Sequence, residues 1–192
     1  MKFTIYSPVG KILRSGECPD GHEAGQCLEG ELLLLVPSMP NVDFVADGAV
    51  LPLPNKPSPY HVFNYTTKQW EDPRTLQDLK DAQWTLIKQA RTQAEYAGFT
   101  WDGSTFDSDA ISQNRITGAV TLAQLSPSFT IDWTLADNTV RTLGQMDMFQ
   151  VGEALGFHVQ TQFVRGQSLR EQIATATTRE AVEAIVWPVA PF

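Results

Sequence analysis

The chain has 192 residues, a net charge of −8, and hydrophobic and charged fractions of 42% and 19%, globular values for a length that fills one ordinary domain or two small ones. Its longest purely apolar run, Leu32 to Val36, is far short of a membrane span, and the opening MKFTIYSPVGK has no long apolar core behind its lysine. A membrane helix and a signal peptide are therefore both excluded from the expectation, and the product is expected to stay in the cytoplasm of the cell that makes it.

The charge divides evenly, about −4 on either side of Pro73, so neither half offers a basic face and nucleic acid is not an expected partner. Up to residue 71 the pattern is one of short β-like runs punctuated by turn formers: FTIYS closing at Pro8-Val9-Gly10, then KILRSGEC, ELLLLVP, VDFVADGAVLPLP and YHVFNYTTKQW. Asp47-Gly48 between apolar flanks is a hairpin signal, because both turn positions favour residues that tolerate positive φ. VFNYTTKQW alternates as one half-buried strand, with Val62, Asn64 and Thr66 on one face and Phe63, Tyr65 and Thr67 on the other. LPLPNKPSPY, with prolines at 52, 54, 57 and 59, reads as an irregular connector or an edge segment. Residues 1–71 are expected to form a small antiparallel β domain. Cys18 and Cys27 flank His22, but a zinc site needs four ligands in short pairs, and the histidines are scattered at 22, 61 and 158. No metal is expected, and reduced thiols or an adventitious disulfide are the readings left.

Residues 72–192 are expected to be a helical domain with two β-hairpins. Asp72-Pro73 has the form of an N-cap and first helical residue, opening a helix from about Arg74 to Ala97 with Gly98 as its stop. Leu76, Leu79, Leu86, Ile87, Ala90, Ala94 and Ala97 make its apolar stripe, with Lys80, Lys88, Arg91 and Glu95 outside. In FTWDGSTFDSDAISQNRI, Asp102-Gly103 is the turn of a tight hairpin, and Asp107 or Ser108 caps a helix with Asp109 in its first turn, running to about Leu125. Each aspartate thus has a structural task. Two facing carboxylates of a glycosidase are not shown by nearness in a turn, and the spacing does not fit a calcium loop. FTIDWTLADNTVRTL is a second hairpin turning at Asp137-Asn138, with Trp133 and Val140 on its arms. Thr142 to Gln145 fits a capping box for a long helix ending near Arg165-Gly166, with a stripe of Met148, Val151, Leu155, Val159 and Phe163 and with His158 packed beside it. Two further capping boxes, Ser168 to Glu171 and Thr177 to Glu180, mark short helices near 169–174 and 178–185.

No GxSxG, GxGxxG, P-loop, HExxH or Cys-His-Asp pattern occurs, so no catalytic residue, cofactor or enzyme activity is expected. Trp84, Trp101 and Trp133 sit on elements where core packing is the commoner use, and Trp70 and Trp187 flank domain ends.

Residues 76–187 nevertheless carry a specific string: a tryptophan helix, W-TLIKQAR from Trp84, a G-F-x-W-D-G hairpin from Gly98, an F-D-S-D-x-x-S-x-x-R-I-x-G cap and helix from Phe106, and a W-x-L-x-D-N hairpin from Trp133. It resembles a domain of unknown function found in proteins of tailed bacteriophages, and YHVFNYTTKQWEDP is similar, more weakly, to the β-rich front ends joined to it. The resemblance implies a structural component of a phage tail, associated with a fibre or the baseplate and located in the virion after synthesis in the host cytoplasm. It would act by protein–protein contact with other tail proteins, in a homo-oligomer or symmetric multi-copy assembly. A tail-fibre assembly chaperone absent from the finished particle is the alternative. The contact residues expected are Leu53, Pro54 and Tyr60 of the proline-rich connector and Trp187, Pro188, Val189 and Phe192 of the apolar tail.

Overall fold

Strands occupy the first part of the chain and helices most of the rest, an α+β arrangement seen in a computed structural model that describes residues 1–188. The chain divides into two units, Met1–Arg74 and Thr75–Phe192.

In the first unit β1 (Lys2–Tyr6) lies between β2 (Ile12–Glu17) and β3 (Leu32–Leu34), antiparallel to both. Being central, β1 is buried from Phe3 to Ile5, and its one buried hydroxyl, on Thr4, donates to the Val36 carbonyl at 2.6 Å. The turn after β1 needs glycine. Gly10 has φ +90°, and a Cβ there would sit 2.0 Å from the Val45 carbonyl oxygen of β4 (Asp43–Ala46). β4 pairs with β5 (Ala49–Pro52) about Asp47-Gly48, both at positive φ as a primed turn requires. Pro52 is thus the last residue of a two-stranded ribbon, where its missing N–H leaves no interior ladder position empty.

The segment expected to be a single strand, VFNYTTKQW, is instead a hairpin of β6 (Val62–Asn64) and β7 (Gln69–Glu71). Asn64 breaks it: its Oδ1 accepts the N–H groups of Thr66 and Thr67 at 2.9 and 3.2 Å, a side chain standing in for a turn carbonyl, and Lys68 closes the turn at φ 60°. The hairpin sets Phe63 against Phe44, Tyr65 and Trp70, with ring centroids 5.1 to 5.3 Å apart.

The second unit begins with α1 (Leu76–Glu95). Its N-cap is Thr75 rather than Asp72, because Thr75 and Asp78 make a reciprocal capping box: the hydroxyl accepts the Asp78 N–H at 3.1 Å and the carboxylate accepts the Thr75 N–H at 2.7 Å. Asp72 instead holds the Arg74 guanidinium at 2.6 Å. Leu79 and Ile87 are the buried residues of α1, whereas Leu86 faces solvent and Arg91 is half-buried, so the apolar stripe is narrower than expected. A first hairpin follows, β8 (Phe99–Trp101) and β9 (Ser104–Phe106) about Asp102-Gly103. α2 (Ala110–Leu125) is capped by Asp109, not by Asp107 or Ser108: its Oδ1 accepts the N–H of Ile111 at 2.8 Å and of Ser112 at 3.2 Å. The second hairpin is β10 (Thr130–Thr134) and β11 (Val140–Gly144).

α3 (Gln145–Thr175) absorbs what sequence spacing separates into two helices. It opens with the Gly144 N–H on the Asp147 carboxylate at 2.9 Å, while Thr142 belongs to β11 and donates to Asp132 at 2.6 Å. It then runs through Arg165-Gly166 and Ser168 to Glu171 without a break. Gly166 is no stop: a Cβ there would lie 3.2 Å from the Arg91 Cδ, so the glycine lets α1 approach α3. The stripe accordingly drifts from Met148, Val151 and Leu155 to Gln162, Gly166, Leu169 and Ile173, and Phe163 turns outward to stack under the Arg91 guanidinium at 4.4 Å. One end of α3 serves a core of Phe99, Phe106, Ile116, Leu143, Met148 and Val151; the other joins Ile87, Leu169 and Ile173, against which Trp84, Ile185 and Trp187 pack. α4 (Arg179–Glu183), capped by Thr178, follows.

Candidate functional site

The stretch from Phe99 to Ile116 supplies three aspartates whose environments differ. Asp102, at φ 46°, takes the first turn position of the β8–β9 hairpin, and its carboxylate pairs with Arg141 of β11. The same guanidinium donates to Ser104 Oγ at 2.9 Å and lies 4.8 Å from the centre of the Trp101 ring, and the Ala136 N–H reaches the Thr105 carbonyl at 3.0 Å. The two hairpins are therefore locked side by side, a link that nothing in the local sequence announces. Asp109 is held as the α2 cap, and the Ser112 hydroxyl at 2.6 Å and the Ile111 and Ser112 N–H groups keep its carboxyl below the usual carboxylate range. Between them Ser108 is fully buried; its hydroxyl accepts the Gly98 N–H at 2.9 Å and donates to the Glu95 carbonyl at 2.5 Å. That carbonyl also faces His158 Nε2 at 3.0 Å, so His158 serves the C-terminal end of α1 as a donor.

Asp107 is the exception. It is exposed, makes no hydrogen bond or ion pair among the described residues, and lines a cleft of about 560 Å³ between α2 and the β10–β11 hairpin. Leu122, Ile131, Trp133 and Leu135 give the cleft its apolar wall; Asp107, Ser112, Arg115, Asp132, Thr134 and Asn138 are its polar residues. Arg115 and the Asn138 side chain are likewise without partners among the described residues, whereas Asp132 accepts the Thr142 hydroxyl. Asp107, Ser112, Arg115 and Gly118 come from the F-D-S-D-x-x-S-x-x-R-I-x-G string and Trp133, Leu135 and Asn138 from W-x-L-x-D-N, so the two strings meet at one surface.

Residues 78–186 match a family described as a domain of unknown function, DUF4376. The chain belongs to this family. The matched segment lies wholly in the second unit and contains every residue that lines the cleft. No curated protein and no solved structure matches the chain.

The residues expected to make contacts fall in both units. In the first, the Pro54 carbonyl accepts the Trp70 indole N–H at 2.9 Å, which ties the connector to β7; Leu53 is half-buried, and Tyr60 is exposed with the Arg74 guanidinium 3.9 Å from its ring centre. In the second, Trp187 is half-buried against the Ile87 cluster with Arg165 over its ring, and Pro188 is exposed. Val189 and Phe192 lie outside the described residues. Cys18 and Cys27 are free thiols, and no group of three His, Cys, Asp or Glu side chains gathers as metal ligands among the described residues.

Along α3 a second groove of about 550 Å³ is lined by Phe157, Thr161, Val164, Arg165 and Leu169 together with Pro188. Phe157 and Val164 are 66% and 51% exposed, and among the described residues no carboxylate lines the groove. Sequence reading named only Pro188 of the α3 groove, because it placed a helix end where the groove runs on, and it did not assemble the cleft: it used Asp107 as a cap and Asn138 as a turn residue and gave Arg115 no role. The available signal was Gly118, a glycine inside a helical pattern.

Proposed function

We propose that this chain is a structural component of a bacteriophage tail, associated with a fibre or the baseplate, and that it acts through protein–protein contacts rather than catalysis. The string from Trp84 to Trp187 supports the phage context by its resemblance to a tailed-phage domain. The observation that carries the contact role is the groove on α3. Phe157, Val164 and Pro188 present apolar surface with no side-chain carboxylate among the described lining residues, on a chain whose net charge is −8. An acidic protein that leaves one apolar face free of acid has a surface suited to another protein chain, here a neighbouring tail protein in a symmetric multi-copy assembly.

Mass spectrometry of purified virions, with copy number measured against the major tail protein, tests the reading. Three, six or twelve copies per particle are expected, and Phe157→Asp with Val164→Asp should remove the protein from particles while leaving its helical circular dichroism unchanged. Absence from particles, with recovery from infected lysate bound to a fibre protein, would replace the reading by that of an assembly chaperone.

A further inference from the structure

Three features of the cleft between α2 and the β10–β11 hairpin bear on what could occupy it. Four of the five tryptophans have a cation near the ring: Lys56 at Trp70, Lys88 and Arg170 at Trp84, Arg141 at Trp101 and Arg165 at Trp187, with centroid distances from 4.8 to 6.0 Å. Trp133, which lines the cleft, is half-buried against the second-unit core and faces Arg141 across the β10–β11 ladder, but among the described residues no cation or aromatic ring stacks on its ring and nothing accepts its indole N–H. Gly118 is the second feature. Glycine inside a helix costs stability relative to alanine, yet a Cβ at this position meets nothing within 4 Å. No neighbour in the chain fills that space, so a Cβ at Gly118 would stand on the α2 wall of the cleft. Third, the polar groups are mixed in kind: Asp107 only accepts, Arg115 only donates, Asn138 does both, and no ion pair joins Asp107 to Arg115 although both line one cleft.

The geometry points to a binding site for a neutral oligosaccharide, with Trp133 against the sugar's C–H face and Asp107, Arg115 and Asn138 on its hydroxyls. Hydroxyl groups both donate and accept, so they satisfy a carboxylate, a guanidinium and an amide at once. An anionic ligand would meet two carboxylates, Asp107 and Asp132, against the single guanidinium of Arg115, an unfavourable approach. The cleft volume of about 560 Å³ is in the range that holds small ligands, with an apolar wall and a few convergent polar groups. The inference is independent of the tail reading, since it concerns the cleft and not the α3 groove.

The test uses the full chain with its tryptophan indoles labelled for NMR and, as probes, maltotriose, cellotriose and triacetylchitotriose, with inorganic phosphate and an aspartate-rich peptide alongside. At least one trisaccharide is expected to move the Trp133 indole resonance, and Asp107→Ala or Arg115→Ala should weaken that binding about fivefold or more. Gly118→Ala is the decisive variant: it should raise the melting temperature through helix propensity while weakening the same binding, which separates occupancy of the cleft from loss of fold. Failure of every trisaccharide to move the resonance, movement by phosphate or the peptide in their place, or equal saccharide binding in all three variants would each overturn the proposal.

Discussion

At the scale of single residues, the aspartates between Phe99 and Ile116 show how one residue type is given three tasks by its surroundings. Asp102 tolerates the positive φ of a primed turn and binds Arg141; Asp109 caps α2; Asp107 is left on a cleft. Turn and cap chemistry is local, so its presence was legible in the sequence, but the competition between neighbouring caps was not. Asp107, Ser108 and Asp109 are all good N-cap residues, and Asp109 takes the position while the Ser108 hydroxyl is committed to the backbone of Glu95 and Gly98, a contact across the hairpin. Asp109 also predicts a pH dependence. Its carboxyl is depressed in the folded state by the Ser112 hydroxyl and the backbone N–H groups, so its contribution to stability is present above the unfolded carboxylate value of 3.8 and is lost as pH falls through the lower folded value. Asp109→Asn keeps an acceptor for the cap and removes the titration. Melting temperatures followed from about pH 6 to about pH 3 should therefore fall less in Asp109→Asn than in the wild type.

At the scale of elements, hydrophobic period and punctuation located the second-unit helices and both of its hairpins, but not where α3 ends. The S/T-x-x-E/Q pattern at Ser168 to Glu171 is only a potential cap; a helix takes it up when its packing face ends there, and the face of α3 does not. Leu169 and Ile173 continue it onto Ile87. Gln167→Pro discriminates the two arrangements. In front of a separate helix the proline would be nearly harmless, whereas inside α3 it should cost about 3 kcal/mol or more and lower the helical circular dichroism. The strand misread at VFNYTTKQW has the same origin in reverse: alternation alone favours one strand, and the Asn64 side chain, by capping two N–H groups, favours the turn.

At the scale of the molecule, each unit has buried aromatic residues of its own: Phe44 and Phe63 in the first, Phe99 and Phe106 in the second. Calorimetry on the full chain should accordingly resolve two transitions. Phe63→Ala should shift one and Phe106→Ala the other, each by about 3 to 5 kcal/mol at its own transition; a single transition displaced by both variants would contradict this expectation.

Local sequence is enough to specify the α+β class, the change from strands to helices after about residue 71 and the primed turns at Asp47-Gly48 and Asp102-Gly103, because these depend on propensities and motifs within a few residues of one another. Tertiary structure alone decided that Arg141 locks the two hairpins together, that α3 continues through Gly166 because α1 comes close there, and that Asp107, Arg115, Trp133 and Asn138 share a cleft. These are meetings of side chains distant in sequence, and their positions follow from which apolar faces must be buried together rather than from any local rule.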